Sequence, residues 1–586
     1  MVNSFKITNR KVVIRIRDRV CETPEELLSS EPFYNILEKC VKKLSRKGSR
    51  LLNIFGKNNT EINDEDIRIL GKTLQILTRM PVKLVPKIIE DSERITRDTL
   101  LLCDFVEYLY NYWRGFERFL ICDSAWDNLD ARPYRTFNDT IEALTDLVRG
   151  VYRDIEENIT GEHPRIYRQI RAGAEFAAIT TPGAIPYPAA SYGRLNKIPV
   201  IRQILLYPPL ILNPPMNKRT GQFKRIDKNP LELTDLKDDE WVCFPAKVGS
   251  LLILVYFHES FYELGFSLCN LFELADDESL NRKPDAACFF GVPGNQLDDL
   301  APFPTVFYDD AENDLLVGAV PNKNEFGYFG YLKKMVLTLY NIVMMKHGRL
   351  PFHGAMVNVL VKNNKLATVL IMGDTGTGKS ETLEAFRELG EDFIEDITII
   401  ADDMGSLEID SEGRIVGYGT EIGAFVRLDD LQPGFAFGQL DRTIIMNASQ
   451  VNARVILPVT TYEVISRGHV VDVIFYANNY EQVDEEHHII EQFHTPEQAL
   501  AVFKEGAAMS KGTTTETGLT HSYFANIFGP VQYKSLHEAI SKKYFEVIFS
   551  KNIFVGQMRT RLGIKGFERT GPEEAAKALI RFIQNS

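Results

Sequence analysis

Gly373-Asp374-Thr375-Gly376-Thr377-Gly378-Lys379-Ser380 is a complete GxxxxGK[ST] octet, and its neighbours fix how it is read. Ahead of it, Ala367 to Met372 is a short, β-branched apolar run that predicts a buried strand. Behind it, Glu381 to Gly390 predicts a helix that stops at a glycine. Strand, glycine loop and helix in that order are the setting of a phosphate-binding loop. The glycines let consecutive N–H groups turn inward around a polyphosphate. Lys379 adds charge near the β- and γ-phosphates, and the Ser380 hydroxyl can ligate Mg²⁺. Residues Gly373 through Ser380, with Glu381 beside them, are therefore the expected nucleotide-phosphate contacts.

Five clusters surround this loop. Ile399-Ile400-Ala401-Asp402-Asp403 closes an apolar strand with two carboxylates, where phosphate-loop enzymes keep the acid that holds a metal. Plain turn chemistry is the alternative there. With the loop upstream the metal role is expected, for Mg²⁺ or Mn²⁺ as hard cations. Leu350 to Val359 predicts a strand carrying His353, which by itself reads as a core or edge histidine. Tyr328-Phe329-Gly330-Tyr331-Leu332-Lys333-Lys334 leads into an apolar helix, Met335 to Met345, and adjacent lysines there read as a solvated face. Asn452-Ala453-Arg454 opens another apolar strand; a buried arginine is costly unless it meets a carboxylate or a phosphate. Lys511 to Thr520 is a hydroxyl-rich polar loop.

The chain has 586 residues, enough for two to four domains. Its apolar content of 44% and charged content of 25% are those of an ordinary globular protein. A net charge of -13 argues against broad binding of nucleic acid or anionic membrane, and the Lys42–Arg50 basic run reads as a solvated helix face. Seven scattered cysteines without a CxxC pair suggest neither zinc nor a disulfide framework. Met1 to Arg17 alternates apolar and basic residues without a signal-peptide core, and no run reaches ~18 apolar residues. A cytoplasmic protein is expected. Residues 20 to 160 read as helical, including Leu100 to Phe119. Pro/Gly punctuation runs from Thr181 to Pro230. Val248 to Tyr256 predicts one buried strand, Thr305–Tyr308 and Asp314–Ala319 a pair of strands, and strands alternate with helices beyond 330.

Taken in order, the clusters resemble phosphoenolpyruvate carboxykinase over about residues 245–575, and more distantly HPr kinase/phosphorylase. Tyr328 to Lys334 is similar to that family's YxGExKKG segment, Leu350-Pro351-Phe352-His353 to its Leu-x-x-His segment, and Ala401-Asp402-Asp403 to its Gly-Asp-Asp. Asn452-Ala453-Arg454 stands at its Asn-Thr-Arg, and Gly512–Gly529 at its adenine-side loop and strand. The octet with Glu381-Thr382 is nearer to the GDSGxGKSET of HPr kinase.

The resemblance implies an α/β fold: a phosphate-loop kinase domain with a mixed sheet over 326–586, an α+β substrate-side domain over 161–325, and a helical N-terminal region over 1–160. It implies Lys334, His353 and Asp403 as ligands of one Mn²⁺, with Lys333 facing phosphate and Ser380 on a second cation. It further implies Lys379, Arg454 and Asp402 in phosphoryl transfer, and Tyr328 and Arg219 on the substrate side. The implied reaction is the ATP- and metal-dependent conversion of oxaloacetate to phosphoenolpyruvate, ADP and CO₂. A kinase acting on a protein or small-molecule hydroxyl is the second expectation, and a non-catalytic nucleotide-binding regulator the third. A homo-oligomer formed through the N-terminal region is compatible with all three. Three positions depart from the carboxykinase pattern: Tyr331 replaces a glutamate, Gln222 occupies the substrate arginine's slot, and Thr513–Glu516 shows no clear counterpart of the adenine-side arginine.

Overall fold

A computed structural model describes the chain except residues 1, 9, 18, 59–60, 125–135, 164, 167, 219–222, 294, 301–304, 363–364, 375, 389–392, 429–439, 511–517 and 586, and the side chains of 2–3, 380, 384 and 386–388. It is mixed α/β, with helices and several sheets in two compact units. One unit is Met1–Pro182 with Ile201–Tyr207; the other is Gly183–Val200 with Pro208–Ser586. The boundary expected at residue 325 lies inside the second unit. Among the described residues no helix is long and apolar enough to cross a membrane.

The first unit is not the helical region its sequence suggested. Its sheet runs Val2–Ile7, Lys11–Ile16, Glu117–Asp123, Phe176–Thr181, Val200–Leu206. The first two strands are antiparallel, and the next two neighbours pair in parallel. Parallel neighbours need long crossovers, and helices supply them. These are Glu31–Arg46, Asp64–Leu77, Thr99–Arg114 and Phe137–Thr160. Asn63 and Asp66 form a reciprocal capping box at the second of these, and Asp98 caps the third through Leu101 N–H. The helix expected through Phe119 stops at Arg114, and a strand begins at Glu117 because both its faces are buried in the sheet. The apolar and basic residues near the N-terminus fall in the paired strands Val2–Ile7 and Lys11–Ile16.

In the second unit, one sheet runs Trp241–Val248, Leu251–His258, Ala286–Val292, Leu315–Pro321, Val306–Asp310, Lys224–Ile226. The single strand expected over 248–256 is a hairpin, because Gly249 (φ 53°) and Ser250 turn the chain. The expected strand pair is present as antiparallel Val306–Asp310 and Leu315–Pro321. A second sheet carries the phosphate-loop strand Lys365–Met372, flanked by antiparallel Leu350–Val361 and parallel Val473–Asn478. Phe554–Arg559 pairs in parallel beyond, while Ile394–Ala401 and Met404–Ile409 pair along Leu350–Val361. Val357, Val369, Ile371, Phe475 and Leu579 fill the core on one face of this sheet. The helix Phe329–Lys346 is buried along nearly its whole length.

Candidate active site at the phosphate loop

The loop leaves the end of the Lys365–Met372 strand and enters the Lys379–Glu388 helix, as the motif requires. Gly376 and Gly378 have φ of 79° and 95°, and a Cβ on Gly378 would lie 2.6 Å from Thr560 Oγ1. Only glycine fits there. Thr377 Oγ1 donates to Asp374 O at 2.7 Å, and Thr560 Oγ1 donates to Thr377 O at 2.6 Å. Lys379 is buried and donates to Gly373 O at 2.6 Å and Asp374 O at 2.9 Å. Burial lowers its pKa, and the carboxylates of Asp403, Asp374, Glu381 and Asp402 only partly oppose that. Thr375 and the Ser380 side chain lie outside the described residues.

Beside the loop, charges converge on Asp403. The strand Ile394–Ala401 delivers Asp402 and Asp403 at its end, and Leu350–Val361 delivers His353 from the neighbouring strand. His353 Nε2 lies 2.9 Å from Asp403 Oδ1, and Nδ1 donates to Ala525 O. Ala525 O is a carbonyl acceptor, so Nδ1 carries a proton there and Nε2 faces the Asp403 carboxylate. Nδ1 is also 4.0 Å from Asp374 Oδ1, which ties the histidine to the phosphate loop. Lys333 Nζ lies 2.8 Å from Asp403 Oδ2 and 2.9 Å from Glu421 Oε1. Burial alone would lower the pKa of this amine. Asp403 and Glu421 outweigh it, and Lys333 stays above the ordinary lysine range as an ammonium. Asp403 shows the converse: burial raises it, but Lys333, His353 and Lys379 hold it well below the usual carboxylate range. Burial pushes Glu421 up to about 7 against the pull of Lys333.

No protein-family model and no curated protein matches the chain.

The lysine pair read as a solvated face sits inside a buried helix, and Lys333 is 5% exposed. Lys333, given the phosphate-facing role by the resemblance, is thus an amine at the carboxylate. Lys334 Nζ lies 5.0 Å from the centroid of Phe528, a ring itself 5.9 Å from that of His353. Tyr331 is buried and donates to Thr305 Oγ1 at 2.8 Å. Arg454 opens its strand as expected; Nε donates to Asn452 Oδ1 at 2.9 Å, and the guanidinium stands 5.6 Å over Phe425. Tyr328 meets the same ring at 5.8 Å, so Tyr328 and Arg454 share one aromatic wall. Arg219 and Gln222 lie outside the described residues, as do 511–517 of the hydroxyl-rich loop. Arg225, the other arginine near that slot, is 3.8 Å from Asp309 and stacks over Tyr533.

Four features had no motif to announce them. Glu421 lies between the strands Ile415–Gly419 and Gly423–Arg427, with nothing in its neighbours to mark a buried acid. Asn479, fully buried, donates to Gly376 O and Met509 O at 2.9 Å each and accepts from Met509 N at 2.8 Å. It ties the phosphate loop to the strand Ala507–Ser510. Thr560 anchors the same loop from the strand Phe554–Arg559 side. Finally, Phe524, Ala525 and Asn526 all have positive φ, of 46°, 58° and 60°. Three successive non-glycine residues in that region are costly, and they aim the Ala525 carbonyl at His353.

Among the described residues no three His, Cys, Asp or Glu side chains group to hold a metal ion. The donors near Asp403 are instead mixed: one imidazole, one carboxylate and one amine.

Proposed function

We propose that the second unit is a nucleotide-dependent phosphotransferase of the phosphoenolpyruvate carboxykinase type, turning oxaloacetate and ATP into phosphoenolpyruvate, ADP and CO₂. The observation that carries this reading is the meeting of Lys333, His353 and Asp403 beside the phosphate-loop lysine, Lys379. In this reading Lys379 exchanges the carbonyls of Gly373 and Asp374 for phosphate oxygens, while Asn479 and Thr560 hold the loop in shape. Lys333 and Lys379 set positive charge beside the reacting groups, and Arg454 adds a third cation along the Phe425 wall. Loss of CO₂ leaves an enolate whose oxygen attacks the γ-phosphorus as ADP departs.

The donor set fits a hard divalent cation. Asp403 Oδ1 and His353 Nε2 are 2.9 Å apart, and Ala525 O fixes the ring through Nδ1. Lys333 would join as a ligand only by losing the proton that Asp403 and Glu421 now stabilise. Mn²⁺ or Mg²⁺ would supply stabilisation of developing negative charge.

A hydroxyl kinase using Asp403 as general base is less well supported, since Lys333, His353 and Lys379 hold that carboxylate well below the usual range and so suppress its basicity. Incubation with oxaloacetate, ATP and Mn²⁺ tests the proposal. Phosphoenolpyruvate is expected. ADP formed only with a hydroxyl acceptor would replace this reading by the kinase, and tight ATP binding without turnover would replace it by the regulator.

A further inference from the structure

The unit Met1–Pro182 with Ile201–Tyr207 has two apolar cores where one is usual for a compact domain. One gathers Leu37, Leu70, Leu74, Phe105 and Val106 among its helices. The other gathers Ile16, Leu120, Phe137, Ile141 and Ile179 on strands and the last helix. Ile14 packs against both. A partly open apolar cavity of about 180 Å³ lies among residues drawn from each, including Leu28, Val106 and Leu109 from the first and Ile16 and Leu120 from the second.

The polar groups on its wall are directed elsewhere. Trp113 Nε1 donates to Ala172 O at 2.6 Å, Ser30 Oγ to Leu27 O at 2.7 Å, and the Tyr152 hydroxyl to Glu107. Arg118 is the one cation among the lining residues described. Its guanidinium donates to the carbonyls of Gly173, Trp113, Arg114 and Phe116, and Glu175 lies 3.3 Å from its remaining nitrogen. The charge of Arg118 is thus already met by Glu175, and its donors by four backbone carbonyls. Apolar cavities of about 150 Å³ lined by aliphatic and aromatic side chains stay dry and take up benzene. This one is larger and similarly walled, and it is partly open, which gives an apolar molecule a way in.

We propose that the cavity is a binding site for a small uncharged apolar molecule, of the size of a substituted benzene or a medium alkyl chain. The proposal is independent of the phosphate-loop chemistry. Cys21 lines the cavity as a half-buried free thiol, whereas Cys103, also half-buried, does not line it. The two thiols make an internal reporter and control.

The test uses the full chain with n-octanol and sodium octanoate as probes. Alkylation by N-ethylmaleimide is followed at each cysteine by peptide mass, and unfolding by calorimetry. Octanol is expected to slow alkylation of Cys21 several-fold, leave Cys103 unchanged and raise the unfolding temperature, while octanoate does none of these. Ala174→Phe, which fills the cavity, should abolish the protection; Leu144→Trp serves the same purpose if the first variant does not fold. An unchanged rate at Cys21, equal protection of Cys103, equal protection by octanoate, or protection persisting in a folded filled variant would each overturn the assignment.

Discussion

In the second unit, Lys333, Lys379, His353, Asp403 and Glu421 are packed against one another beneath a glycine loop. In the first, a space of about 180 Å³ is walled by side chains that offer it almost no charge. Breaking one pair of the charge cluster costs about 3–5 kcal/mol, because it leaves a charge buried without its partner. The pocket of the first unit is partly open, and its apolar wall is covered only when something apolar enters. A site built of charge is thus committed to its own residues, while a site built of absence is committed to its occupant.

The largest effect expected from breaking the charged side is at Lys333. Lys333→Met leaves Asp403 and Glu421 without their shared cation and should destabilise the unit by about 3–5 kcal/mol, read from urea midpoints. Adding Glu421→Gln should restore most of that stability without restoring turnover. Lys379→Met should keep the fold but lower the phosphoryl-transfer rate by about 10²–10³-fold in single-turnover assays. Turnover at the original rate would remove Lys379 from the chemistry.

A pH titration sharpens the comparison further. His537 is buried, with its Nδ1 on Tyr523 and its ring against Phe524, and burial lowers its pKa from 6.5 to about 4. A folded-state value below the unfolded one means the unfolded chain binds the extra proton. The contribution is therefore complete above pH 6.5 and is lost as pH falls towards 4, by about 3 kcal/mol. His537→Phe should flatten that slope in chemical denaturation between those two pH values. The smallest effect is at Asn479: Asn479→Ala removes three backbone hydrogen bonds and should cost about 1–3 kcal/mol, with weaker ATP binding by calorimetry.

The charged site was largely legible in the sequence, since a phosphate loop dictates residue types at fixed spacing. The strand before Gly373, the helix after it, the acid pair ending a strand and His353 in its strand all followed from that spacing and from short apolar runs. What lay beyond it depended on tertiary neighbours. Lys333 and Lys334 are adjacent in sequence, and only packing shows that Lys333 points between two carboxylates. Asn479 and Thr560 reach the loop from residues more than 80 positions away, carrying side chains common in any turn. In the first unit, the strand Lys11–Ile16 has no regular two-residue burial period to mark it, and the apolar stretch after Gly115 continues the helical pattern of Leu100 to Phe119. Parallel strands buried on both faces lack the pattern that separates them from helices. A cavity is still less visible, because an apolar residue beside a void is spelled like one in a filled core.

The left-handed turn at Phe524, Ala525 and Asn526 sets a narrow alphabet for mutational libraries of this chain. Glycine or asparagine at 525 should survive selection, whereas valine, isoleucine and threonine should vanish from it, although none of these side chains would touch a nucleotide. Their depletion would be a readout of how tightly the imidazole of His353 must be aimed.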